Sequence, residues 1–73
     1  PYLMALKKAN IEPWQAVVIE NAPLGIQAGV GAGIFTIGVN TGILEDKVLL
    51  DAGAHVVYPS MHELLTQWTT IYD

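Results

Sequence analysis

The alternation of short strand-like runs with helical stretches constrains this chain more than any other feature. Residues 16–19 are too short and too continuously apolar for an amphipathic helix, and suit a strand buried in a parallel sheet. Residues 34–39, bounded by Gly33 and by Asn40-Thr41-Gly42, and residues 55–58 read as two further strands. A helix is expected over residues 1–10. Leu3 and Leu6 share a face there, and Lys7 and Lys8 fall near the end, where cations favour the dipole. Pro13 stops that helix, with Glu12 in a short loop. Residues 24–32 form a second helix, whose Ala28 and Ala32 would let it lie close to a sheet.

A third helix spans 45–52. Leu44, Val48, Leu49 and Ala52 line one stripe, Glu45 and Asp46 occupy the first turn, and Gly53 is the expected left-handed cap. Pro59-Ser60 opens the last helix, with Ser60 and Glu63 as an S-x-x-E capping box. Met61, Leu64, Leu65, Trp68, Ile71 and Tyr72 recur at helical spacing. Strands alternating with helices make βαβ units with right-handed crossovers, so the expected class is α/β with a parallel sheet.

A chain of 73 residues makes at most one small domain, and folding at that size removes only about 60% of the unfolded surface. Hydrophobic residues reach 52% and charged residues 14%, an apolar excess that suggests a piece of something larger. The opening proline points the same way, to an internal or truncated segment. With no cysteine there is neither disulfide nor thiol chemistry, which is compatible with a cytoplasmic location. A net charge of −4, with Lys7, Lys8 and Lys47 as the cations, argues against nucleic-acid or anionic-membrane binding. No apolar run approaches the roughly 18 residues of a membrane span, and no signal peptide opens the chain.

The stretch Val17-Val18-Ile19-Glu20-Asn21-Ala22-Pro23-Leu24-Gly25 carries the chemistry. Binding groups of parallel sheets sit beyond the carboxyl ends of the strands, where Glu20 and Asn21 are expected to emerge. Pro23 suits the first turn of the helix that follows. Two readings of the pair stand side by side. The residues cap that helix, or they offer oxygens to Mg²⁺, a cation that often uses one or two carboxylates and keeps several waters.

Other patterns carry less. Gly29-Val30-Gly31-Ala32-Gly33 follows a helix and precedes a strand, the reverse of a dinucleotide loop, and reads as close packing with a cap at Gly33. His62-Glu63 lacks the second histidine of a zinc-protease motif, since residue 66 is Thr66. His55 reads as a strand-end residue, and Trp14, Trp68 and Tyr72 as packing groups. Serine hydrolase chemistry has no G-x-S-x-G to support it.

The run from Ala16 through Gly29, followed by Ala32-Gly33-Ile34, resembles the fourth motif of haloacid dehalogenase-like phosphohydrolases. More narrowly, it is similar to the β-phosphoglucomutase-like branch, which typically reads V-I-E-D-(A/S)-x-x-G-(I/V)-x-A and then A-G. Ile37-Gly38-Val39, Asn40-Thr41-Gly42, Ala52-Gly53-Ala54 and Pro1-Tyr2-Leu3 extend the resemblance over essentially the whole chain. The resemblance implies a three-layer Rossmann-like parallel sheet, present here in part, with about three strands and four helices. Residues 1–73 would be the C-terminal part of the core domain, with the N-terminal part of the core and the cap domain outside the chain.

By the same resemblance, an aspartate nucleophile would lie upstream of Pro1 and react through an aspartyl-phosphate, so this stretch alone would be inactive. Glu20 and Asn21 match positions that help bind Mg²⁺, with Asn21 where aspartate is usual. A neutral amide there should weaken the cation and repel a highly charged anion less. The Glu-Asn variant, with Pro1-Tyr2-Leu3-Met4-Ala5-Leu6-Lys7-Lys8, resembles a Bacteroides-type branch member that looks like an inorganic pyrophosphatase. Pyrophosphate is therefore the expected substrate ahead of a sugar phosphate. The competing expectation is a non-catalytic module, either a degenerate relative or a piece that associates with a missing half, with the exposed edge of Val17 to Ile19 open to self-association.

Overall fold

The structure is a computed structural model and describes residues 2–42 and 44–68. Elements follow in the order α1 (Tyr2–Ala9), a 3₁₀ turn (Pro13–Gln15), β1 (Val17–Glu20), α2 (Pro23–Gly31), β2 (Phe35–Val39), α3 (Asp46–Asp51), β3 (Val56–Tyr58) and α4 (Met61–Thr66). The strands form one sheet in the order β1-β2-β3, parallel throughout. Val17 pairs with Phe35 and Glu20 with Gly38, while Ile37 pairs with Val56 and Val39 with Tyr58. The α/β class, the parallel sheet and the count of three strands and four α-helices agree with the sequence. Most element ends shift by a residue or two, and α4 ends at Thr66, with its cap at Gln67, short of the Trp68 that the last stripe includes.

Alternation along the strands sorts the core into layers, because successive side chains leave opposite faces of a sheet. On one face, α2 brings Ile26 and Gly29 against Val18, Thr36 and Gly38, and α3 adds Leu49 beside Ala54 and Val57. On the other, Leu64 of α4 packs with Ile37 and Val39, joined by Val56, Tyr58 and Trp68. Leu6 of α1 completes a third cluster with Val18, Ala32 and Ile34.

Three helices end alike. After α1, α2 and α3 the chain turns through a left-handed residue, Asn10 (φ 58°), Gly33 (φ 76°) and Gly53 (φ 113°). Each donates its N–H three residues back, to Lys7, Val30 and Leu50, and the next residue donates to Leu6, Gly29 and Leu49. That is the Schellman pattern, which satisfies otherwise orphaned carbonyls. Gly33 and Gly53 act as the caps expected of them.

Several local expectations change, and of the first and third stripes Leu6 and Leu49 are buried while Leu3, Leu44 and Val48 are exposed. Ala28 is exposed; the small residue that brings α2 onto the sheet is Gly29, where a Cβ would stand 2.6 Å from Thr36 Oγ1 and 3.1 Å from Val18 Cγ1. Pro13 begins a 3₁₀ turn rather than merely ending a helix, and Gln15 Oε1 accepts from Glu12 N–H at 2.9 Å. Trp14 is 79% exposed and is not a core group. Of the last stripe, Leu64 is buried but Met61 and Leu65 are largely exposed; Ile71 and Tyr72 lie outside the described residues. No helix among the described residues is long and apolar enough to cross a membrane.

β1 is an outer strand with no neighbour on its far side among the described residues. An apolar groove of about 340 Å³ runs between α1 and this edge, lined by Leu6, Ala9, Ile11, Val17 and Ile19 among others.

Candidate functional site

The carboxyl ends of β1 and β2 lie side by side, since Glu20 closes β1 opposite Gly38 and β2 continues one residue to Val39. Beyond them opens a cleft of about 200 Å³ lined by Ile19, Glu20, Asn21, Val39, Thr41 and Met61. Glu20 is half-buried and Asn21 exposed. The pair thus emerges at the strand end, where the sequence places it, and both residues line one cleft.

The helix that follows explains the posture of Glu20. Ala22 is the N-cap of α2 and has no side chain able to cap, while Pro23 in the first turn needs no partner for a missing N–H. Glu20 Oε2 reaches back to accept from Ala22 N–H at a long 3.4 Å. The carboxylate lies over Gly25, where a Cβ would overlap Glu20 Cδ and Oε2 and come within 2.7 Å of Cγ. Negative charge is also favoured there by the positive end of the helix. Asn21 makes no side-chain hydrogen bond to a described residue. Capping therefore accounts for part of Glu20 and none of Asn21.

The other wall rests on Asn40, which sequence reasoning passed over as a loop residue. Its Nδ2 donates to Leu44 O at 2.8 Å and to Asp46 Oδ1 at 2.7 Å, while its Oδ1 accepts from Gly42 N–H at 2.9 Å. Its own N–H donates to Tyr58 O at 2.8 Å. The loop beyond β2 is therefore tied both to β3 and to the start of α3. The signal was present: asparagine two residues before a glycine is the Asx-turn pattern.

The remaining candidates sit elsewhere. His55 lies beside the opposite end of β2, its ring stacked on Phe35 with centroids 5.0 Å apart, and its Nδ1 accepts from Thr36 N–H. It is a strand-end residue. His62 is exposed on α4, and Glu63 gives its N–H to Ser60 Oγ at 3.1 Å, so Ser60 caps α4 by one half of the expected box. Among the described residues no group of three or more His, Cys, Asp or Glu side chains could hold a metal ion.

Comparison with known proteins finds relatives for this stretch. No family model matches the chain. A validoxylamine A 7'-phosphate phosphatase of Streptomyces hygroscopicus subsp. limoneus is 41% identical over 63 residues, covering 80% of this chain and 30% of that enzyme. A phosphorylated carbohydrates phosphatase of Thermotoga maritima is 41% identical over 54 residues, covering 73% of this chain and 25% of that one. In structure, a candidate β-phosphoglucomutase of Bacteroides vulgatus superposes with a TM-score of 0.94 at 60% identity, over 99% of this chain and 30% of that chain. A hydrolase from Pseudomonas syringae gives 0.83 at 27% identity, over 96% of this chain and 33% of its own. The chain thus spans only 25% to 30% of the curated relatives it matches. Over the stretch it covers, it has the haloacid dehalogenase-like fold of these structures and is similar to the phosphatases and β-phosphoglucomutase-like proteins it matches.

Proposed function

We propose that these residues form the C-terminal part of the core of a Mg²⁺-dependent phosphohydrolase, and that Glu20 and Asn21 contribute to its cation site. The observation that carries this reading is the emergence of both side chains into one cleft at the carboxyl end of a parallel sheet. The donor set fits the cation: a carboxylate and an amide oxygen are hard ligands, and the bare Gly25 leaves a cradle for the carboxylate. Two side chains leave most of an octahedral shell to water, substrate or residues outside 1–73. When bound, Mg²⁺ would neutralise charge on phosphoryl oxygens and hold them in position.

The chain's own part in the chemistry is binding and orientation. Glu20 supplies the anionic donor and Asn21 a neutral one. The Asn40-anchored loop holds Thr41 on the cleft wall, and Ile19, Val39 and Met61 give that wall an apolar lining. The nucleophile, by analogy with the family an aspartate that becomes an aspartyl-phosphate, would come from elsewhere in the protein. Asn21 removes one negative charge from the site, which favours a compact, highly charged anion. Inorganic pyrophosphate, which the resemblance to a Bacteroides-type branch member implies, is the proposed substrate, with a sugar phosphate as the alternative.

The test is phosphate release by the longest natural chain that carries these residues, with pyrophosphate and hexose phosphates compared, with and without EDTA. Pyrophosphate should be preferred and EDTA should abolish turnover. Equal or reversed preference removes the pyrophosphate assignment, and turnover indifferent to EDTA removes the cation. A second reading, an associating module without catalysis, is favoured by the open β1 edge and the groove beside it. Absence of hydrolysis together with concentration-dependent self-association would favour it.

A further inference from the structure

We infer that Gly25 is a positioning residue for Glu20: by lacking a Cβ it seats the Glu20 carboxylate on the first turn of α2, against Ala22 N–H. Nothing in the backbone of α2 asks for glycine here. Residue 25 lies in the first turn of a nine-residue helix and shows no positive φ, so alanine would be the better helix former. What asks for glycine is the Glu20 side chain, whose Cδ and Oε2 fill the place a Cβ would take. The three nearest atoms to that place all belong to Glu20. Gly31, in the same helix, has nothing within 4 Å of a built Cβ and makes the natural control.

The consequence is specific to the side chain. An alanine at this position meets the far end of a flexible glutamate rather than backbone, so Glu20 swings off the helix start and the fold stays as it is. The seat restricts the rotamers of Glu20 while leaving Oε1 without a described partner. A donor held in place in this way loses less freedom when it takes up a ligand. The effect on cation affinity rests on the cation-binding reading; the effect on the carboxylate's seat does not.

The experiment is a double-mutant cycle of Gly25→Ala and Glu20→Ala, with Gly31→Ala as control, in the longest natural chain that carries these residues. Metal-free urea midpoints and Mg²⁺ titration calorimetry are read together. Glu20→Ala should lower the midpoint in the parent protein and leave it unchanged once Gly25→Ala is present. Gly25→Ala should raise the Mg²⁺ dissociation constant about tenfold, as expected for disturbing a group that orients a ligand, and Gly31→Ala should leave it unaltered. Additive midpoint shifts would overturn the inference. So would failure of Gly25→Ala to fold, since backbone would then bear the overlap. Non-additive midpoints with no Mg²⁺ binding in any variant would keep the seat and remove the cation reading.

Discussion

His55 and Thr36 hold each other by two hydrogen bonds: His55 N–H donates to Thr36 O at 2.9 Å, and Thr36 N–H donates to His55 Nδ1 at 3.0 Å. The side chain thereby supplies the acceptor that one more residue of strand would have offered. Thr36 is fully buried, so its N–H has no recourse to water. His55→Ala and His55→Phe should each cost about 1–3 kcal/mol, the penalty for an unsatisfied buried donor. Chemical denaturation checks this. The same bond requires the ring proton of the neutral imidazole on Nε2, a tautomer readable from its ¹⁵N shifts.

Two glycines of α2 should respond oppositely to the same change. Gly31→Ala meets open space and should stabilise by about 0.5–1 kcal/mol through helix propensity. Gly29→Ala drives a Cβ to 2.6 Å from Thr36 Oγ1, which already donates to Ile34 O at 2.9 Å. That overpacking should destabilise by about 1–3 kcal/mol. Thermal melts of the two variants decide it, and equal shifts would contradict the packing described.

Asn40 should tolerate Asp worse than its near-identical size suggests. Asn40→Asp replaces a donor with a carboxylate facing Asp46 at hydrogen-bond distance. Loss of the bonds to Leu44 O and Asp46 should cost about 1–3 kcal/mol and loosen the loop that holds Thr41. Hydrogen exchange at Gly42 N–H, now bonded to Asn40 Oδ1, gives a local readout. Faster exchange there in Asn40→Ala is expected as well, because the acceptor is removed.

Neighbouring leucines of α4 should separate cleanly. Leu64 is 1% exposed and Leu65 is 64% exposed. Leu64→Ala should cost about 2–5 kcal/mol, the range for a large-to-small change in a core, whereas Leu65→Ala should stay within about 0.5 kcal/mol. A small domain has few kcal/mol to lose, so expression of the first variant is itself informative.

The residues around Glu20 show where legibility ended. Its place at the end of β1 was legible, because a run of β-branched residues followed by a carboxylate, an amide and a proline is a local signal. The direction of its carboxylate was not, since that depends on which residue of α2 leaves room. Ala28 looked like the close-packing residue because it is small and lies on a helical face with Ala32. Gly29 takes that role because the helix's azimuth is set by Ile26 entering the cluster with Leu49 and Ala54. Asn40 and His55 were visible as polar residues at strand ends, but their partners come from other segments.

By itself the sequence determined the order and type of the elements, the parallel character of the sheet and the helix stops at Gly33 and Gly53. The elements and their stops rest on interactions within a few residues, which a window of chain contains in full, and the parallel pairing follows from the alternation of strands with helices along the chain. Only the tertiary structure decided which face of each helix is buried, which glycine admits the sheet, and which backbone groups Asn40 and His55 satisfy. Those outcomes depend on segments distant in sequence meeting at van der Waals distance, and close packing leaves one arrangement in which volumes and hydrogen bonds agree.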